Sequence, residues 1–336
     1  MYKFFSSALR AVIVAGLFSL FVCASPLRAL GAASGKALLT IQPAVATTAA
    51  TKAMMLGSAR AGKRVVAVGD HGIVLLSDDD GKTFRQAKSV PVRSTLTEVS
   101  FVDDKNGWAV GHWGVILASS DGGESWRLQR SDTAVDQPLL SVYFRDKNRG
   151  WAVGLWSLLL DTRDGGKSWQ TSKLPPPPGG GKTDRNLQHI FAGKNGTLFI
   201  AAEQGTVVRS AGDGASWHYL ATTYKGSFWT GIALRQGTLL VGGLRGKIFR
   251  STDDGKSWHE VHSGTESSIT SFCESGGKVY AAGLDGVYLE SEDDGATFTV
   301  KQREDKAPFS SLVVAQSGQV VAFSKNGVLA GLKEVK

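Results

Sequence analysis

The sequence predicts an all-β protein, a seven-bladed β-propeller of four-stranded blades. Three observations predict it. A short turn motif recurs six times, and its closing aromatics are 42, 43, 48, 41 and 40 residues apart. Apolar segments of strand length, broken by Gly-rich turns, fill the intervals; the 336-residue chain has 41 Gly and 9 Trp. First-strand patterns recur seven times, near Met54, Leu96, Leu139, Leu187, Trp229, Ile269 and Ser311. A period of about 40 residues built this way marks propeller blades.

In chain order, residues 1–31 read as a secretory signal. Lys3 and Arg10 precede an apolar run at 11–24, and small residues follow it. The run has 14 residues, short of the roughly 20 that span a bilayer. Residues 32–52 form an N-terminal segment in which 37–41 are expected to pair as a strand with the last blade and close the ring. The propeller is expected over 53–336. Formal charge is +8, and +5 without Lys3, Arg10 and Arg28. That is a mild excess, unlike the dense basic stripe of a nucleic-acid binder. Cleavage of the leader would leave Cys273 alone, so no internal disulfide is expected.

The second and third repeats show the blade plan most clearly. One reads Leu96–Phe101, Gly107–Gly111, residues 114–118, the turn motif, then Trp126-Arg127-Leu128. The next follows with Leu139–Phe144, Gly150–Gly154, residues 158–160, the motif and Trp169. Four short strands joined by tight turns fit each repeat. The motif falls between the third and fourth strands, as Ser77-x-Asp79-x-Gly81-x-Thr83-Phe84, and again at 119–126, 162–169, 210–217, 251–258 and 291–298. Asp79, Asp121, Asp164, Asp253 and Asp293 are expected to accept turn N–H groups. The glycine permits a left-handed backbone. Trp126, Trp169, Trp217 and Trp258 are expected to pack between blades. The fourth copy has Gly212 in place of Asp and should be the loosest turn. The seventh repeat has no such motif and little chain for a fourth strand.

These turns match Asp-box (BNR) repeats. The fuller pattern Leu-x-x-Val-x-Phe, Gly-Trp-Ala-Val-Gly, Gly-x-Ile-Leu, Asp-Gly-Gly-x-Ser-Trp resembles the photosystem II stability/assembly factor family. The resemblance covers about residues 53–330 and implies a lumenal or periplasmic seven-bladed propeller. It further implies a non-catalytic scaffold that binds a membrane-protein complex or its assembly intermediate. Independently of the resemblance, no cofactor and no nucleic-acid partner are expected, and a monomer is expected. The alternative reading is a sialidase-like or other carbohydrate-active Asp-box protein, although the Arg-Ile-Pro start of such enzymes is absent.

Strand order puts the box turns at one face, and the second-to-third turns and blade-to-blade loops at the other. In Asp-box enzymes the boxes face away from the active site, so the opposite face is the expected binding face. Its candidate residues are Arg93, Trp113, Trp156, Arg185, Lys225, Phe228 and Arg245. Trp is rarely needed at a turn tip, and Trp and Arg dominate binding hot spots. The insertion at 175–185 carries four prolines and then three glycines. It reads equally as a partner-binding flap or a tolerated insertion. No catalytic or metal site is expected. His259 and His262 lie on a strand, where positions i and i+3 face opposite ways, and Gly181-Lys182-Thr183 lacks the earlier glycine of a phosphate loop.

Overall fold

The structure is a computed structural model, and it describes residues 41–181, 183–329 and 331–332. Within these the expected repeats fold as seven antiparallel meanders arranged in a ring, giving a seven-bladed propeller. Their inner strands are Met55–Ala61, Leu96–Phe101, Leu139–Phe144, Leu187–Ala192, Phe228–Ala233, Ile269–Ser275 and Phe309–Val314. Every residue of the second strands Gly107–Gly111, Gly150–Gly154, Leu198–Ala202 and Leu239–Gly243 is buried. Small and β-branched residues there pack on both faces, as neighbouring blades demand. Outer strands are short, down to two residues at Arg85–Gln86 and Gln170–Thr171.

Six sheets have four strands, and the seventh has three among the described residues. The strand expected at 37–41 lies outside the described residues except for Ile41, which is in no strand. The segment after it is tied to blade 1: Ala44 N donates to Val90 O at 3.0 Å, and Thr47 N to Gln86 Oε1 at 3.1 Å. Inner strands carry the closure from blade 7 to blade 1. Ser310 Oγ donates to Met55 O, Ser58 and Ser311 hydroxyls meet at 2.7 Å, and Met55, Val65, Leu75, Val313 and Phe323 share one core cluster. The proposed signal at 1–31 lies outside the described residues.

Five boxes have the same geometry. The fourth residue after the Asp donates its N–H to one carboxylate oxygen at 2.9–3.0 Å. Its hydroxyl donates to the other oxygen at 2.5–2.6 Å. The leading Ser or Thr hydroxyl donates to the carboxylate and accepts from the box glycine N–H at 2.9–3.0 Å. These bonds, led by the hydroxyl of the closing Ser or Thr (Thr83, Ser168, Ser257, Thr297), hold the Asp79, Asp164, Asp253 and Asp293 carboxyls down to about 2. The fourth box keeps only Gly214 N to Ser210 Oγ at 3.1 Å and Ala215 N to Gly212 O at 2.9 Å. A Cβ on Gly212 would meet only Ala215 Cβ at 3.7 Å. Gly212→Asp is therefore expected to complete this box toward Ser216 and stabilise the fold by about 0.5–1 kcal/mol, as a capping carboxylate does. A urea midpoint that stays put would show that this turn gains nothing from the carboxylate.

The box aromatics pack between their own blade and the preceding one. Trp126 joins the cluster of blades 1 and 2, edge-on to Phe101 with centroids 6.0 Å apart. Trp169, Trp217 and Trp258 fill the next three junctions, and Phe84 meets Phe323 of blade 7 at 5.7 Å.

Each box also latches onto the preceding blade. The residue after the Asp position offers its carbonyl to a donor from that blade. Arg64 reaches Gly122 O at 3.1 Å, and Gln129 reaches Gly165 O at 2.8 Å. Arg149 reaches Asp213 O at 2.7 Å, Arg209 reaches Asp254 O at 3.0 Å, and Arg250 reaches Asp294 O at 2.9 Å. Ser317 N closes the series on Asp80 Oδ1 at 3.3 Å. In blade 4 this latch stands in for the missing carboxylate, because Arg145 also pairs with Asp213 at 2.6 Å.

Candidate functional site

Register fixes which ends of the strands share a face. Leu96 pairs with Gly111, and Phe101 with Gly107, which in turn pairs with Ser119 at the box. The second-to-third turns therefore lie at the end opposite the boxes, beside the blade-to-blade loops. Backbone bonds confirm the neighbourhood: His112 N to Thr95 O, Leu155 N to Pro138 O, Leu244 N to Ser227 O and Leu284 N to Ser268 O.

Six of these turns hold a non-glycine residue in the left-handed region. They are His71, Trp113, Trp156, Gln204, Arg245 and Asp285, with φ between 54° and 59°. Such residues cost on the order of 1–2 kcal/mol each where glycine would cost nothing. Glycine usually follows, because a loop carbonyl crowds that position. A Cβ at Gly72 would lie 2.1 Å from Val92 O, and one at Gly205 2.0 Å from Tyr224 O. Blade 3 departs: Leu155-Trp156-Ser157 has Ser157 at φ 57°, so two consecutive non-glycine residues are left-handed. Ser157 instead binds the insertion, donating its N–H to Arg185 O at 2.8 Å and its hydroxyl to Thr183 O at 2.8 Å. The strained turn and the Pro-rich insertion thus form one unit.

The structure separates the seven sequence candidates. Trp156 is 50% exposed, as is Val135 in the loop that leads into blade 3. Gln137 Nε2 joins that loop to Leu155 O at 2.9 Å. Trp113 is half-buried against the core of blades 1 and 2, its N–H held by Asp136 Oδ1 at 2.9 Å. Arg93, Lys225 and Arg245 are exposed. Arg185 is committed within the fold: Nη1 donates to Thr206 Oγ1 at 3.0 Å, and its guanidinium lies over Tyr219 at 5.4 Å. Phe228 is fully buried against Tyr224 and Phe249, so it has no surface for a partner. Arg93, Arg185 and Arg245 stand on separate parts of the ring, at the 1–2 loop, the 3–4 loop and the blade 5 turn.

Sequence reasoning missed the channel mouth. In all seven inner strands the ladder skips the second residue: Leu56, Thr97, Leu140, Gln188, Trp229, Thr270 and Ser310. A bulge re-aims the side chain it carries, and these seven line a central cavity of about 1040 Å³. Its deeper wall holds Glu98 and His189. Both keep some surface toward the channel, yet protein encloses them. Burial pushes the Glu98 carboxyl up to about 8 and the His189 imidazole down to about 4. Five of the seven strand starts carried a signal, a polar residue (Thr97, Gln188, Thr270, Ser310) or an outsized one (Trp229) at the same position. Among the described residues no three His, Cys, Asp or Glu side chains converge as a metal site. Cys273 is buried and its thiol is pushed up to about 12.

Fold and surface together define a class, an Asp-box β-propeller that displays strained turn tips on the face away from its boxes. Residues 85–230, from the last strand of blade 1 into blade 5, match the family model described as Photosynthesis system II assembly factor YCF48. Over that stretch, somewhat under half of the chain, the protein is similar to photosystem II assembly factor-like propellers. Among solved structures it is similar to YCF48 bound to D1 peptide (TM-score 0.67, 19% identity, 86% of this chain and 98% of that one). It is also similar to YCF48 from Cyanidioschyzon merolae (TM-score 0.65, 17% identity, 86% and 97%). A streptogramin B lyase shares the fold as well (TM-score 0.69, 13% identity, 86% and 96%). Identities this low speak to fold alone. No curated protein matches the chain.

Proposed function

We propose that this protein is a non-catalytic, exported scaffold that holds a segment of a membrane-protein client on the face opposite its Asp-boxes while the client's complex assembles. One observation carries the reading. The blade 3 turn keeps Trp156 and Ser157 in a left-handed backbone and leaves half the indole in solvent. The backbone bonds of that turn serve the fold, but folding gains little from an indole left in solvent, whereas binding does, because a rigid exposed Trp is a hot-spot side chain. Arg245 and Lys225 add cations on blade 5 of the same face. The similar YCF48 structure with a bound D1 peptide supports peptide capture by this architecture. The leader at 1–31 supports export to a periplasm or thylakoid lumen.

The test is crosslinking of the tagged protein in its host, followed by solubilisation of the membranes and identification of captured chains. A recurrent membrane-protein partner is expected. Trp156→Ala with Arg245→Ala should reduce its capture about tenfold or more, in line with hot-spot losses, and leave melting unchanged, since both side chains are exposed. Equal capture by the variant would rule out this face. Sugar turnover that Arg93→Ala abolishes would replace the scaffold reading with an enzyme.

A further inference from the structure

A second cavity, of about 390 Å³, lies between the N-terminal segment and blade 1. It is separate from the channel and from the Trp156 turn. Val45, Ala49, Ala53 and Ile73 give it an apolar floor and wall, and three basic side chains from three different elements border it. Lys52 ends the 3-10 turn Ala50–Lys52, His71 is the left-handed tip of the blade 1 turn, and Arg93 stands in the 1–2 loop. The segment that forms the wall is fixed, because Gln86 Nε2 donates to Val45 O at 3.0 Å and Gln86 Oε1 accepts from Thr47 N.

Asp70, the acid beside His71, is already engaged. Asp70 accepts from Thr95 Oγ1 at 2.7 Å and from His71 N at 2.8 Å, and lies 2.9 Å from His71 Nδ1. A carboxylate on Nδ1 orients an imidazole and leaves Nε2 for a ligand. Lys52 and Arg93, two cations without an ion pair among the described residues, over an apolar floor match one chemistry, an anionic head on an aliphatic body. The volume lies at the small end of ligand pockets, roughly 300–1,000 Å³.

We propose that this cavity binds a free aliphatic carboxylate of medium chain length. The head meets Arg93, Lys52 and His71, and the chain lies on Ala49, Ala53 and Ile73. This assignment does not depend on the scaffold reading.

Octanoate is the probe, titrated into the full protein by calorimetry while the Ile73 methyl signals are followed by NMR. One saturable site with a dissociation constant below about 1 mM and a shift at Ile73 are expected. Arg93→Gln and Lys52→Gln should each weaken binding about fivefold or more, as loss of a charge-assisted bond does. Both residues are exposed, so the variants should melt like the parent. Octanol and octylamine should bind at least about tenfold more weakly. The proposal is overturned by absence of saturation, by an unmoved Ile73 signal, by octanol binding as well as octanoate, or by variants that bind like the parent. Tighter binding of a leucine-terminated peptide bearing a free carboxylate would reassign the cavity to protein chain ends and overturn it equally.

Discussion

Arg149→Ala is expected to destabilise the propeller by about 3 kcal/mol, the size of loss seen when one partner of a buried ion pair is removed. Arg149 is only 8% exposed and joins two blades. Its Nη1 donates to Asp161 Oδ1 at 2.6 Å and to Thr162 O at 2.9 Å, and its Nη2 donates to Asp213 O at 2.7 Å. The guanidinium also lies 4.3 Å from the Trp151 ring, which is itself buried. Truncation leaves Asp161 without its cation, two carbonyls without a donor, and a void beside an indole. Arg149→Lys should recover little, because one ammonium cannot replace a planar fork with several donors. Urea unfolding measures both variants. A loss under about 1 kcal/mol would mean that water replaces the guanidinium at this junction.

Glu98→Gln is expected to stabilise the fold at pH 8 and to leave it nearly unchanged at pH 5. The Glu98 side chain lies on Gly57 of blade 1, where a Cβ would come within 2.8 Å of Oε1. Oε1 accepts from Val99 N at 2.9 Å, and no cation pairs with the carboxyl among the described residues. Burial raises its titration to about 8. The folded protein therefore keeps a proton that the unfolded chain releases near 4.5. Stability from this group is complete below about pH 4.5 and falls as pH rises toward 8. Channel water reaches part of the side chain and lessens the cost, so the parent should lose about 2 kcal/mol relative to Glu98→Gln between pH 5 and 8. A difference independent of pH would show that channel water solvates the carboxylate fully.

Much of this was legible because propeller repeats are local. A box Asp bonds residues at most four positions away, so its chemistry reads directly from the spacing. The two faces follow from strand order alone. Phe228 shows where such reading fails. A regular strand would not distinguish its outlook from that of Trp229 beyond simple alternation. The bulge after Phe228 turns that ring into the junction of blades 4 and 5 and sends Trp229 to the channel mouth. Arg185 read as a free loop cation, yet Tyr219 and Thr206 of the following blade take it up. The latches had a faint signal: Arg209 and Arg250 each directly precede a box Ser, and Asp254 and Asp294 occupy the matching place one blade on.

The sequence by itself determined the number of blades, the turn chemistry within each and the face on which each loop lies. All of these depend on residues within a few positions of one another, or on the order of strands. Only the tertiary structure decided which side chains latch one blade to the next, which turn tips stay in solvent, and where the N-terminal segment leaves a cavity. Those outcomes join residues tens of positions apart, from 36 to 64 for the arginine and glutamine latches, and the rotation between blades and the bulges at the inner strands set which of them meet.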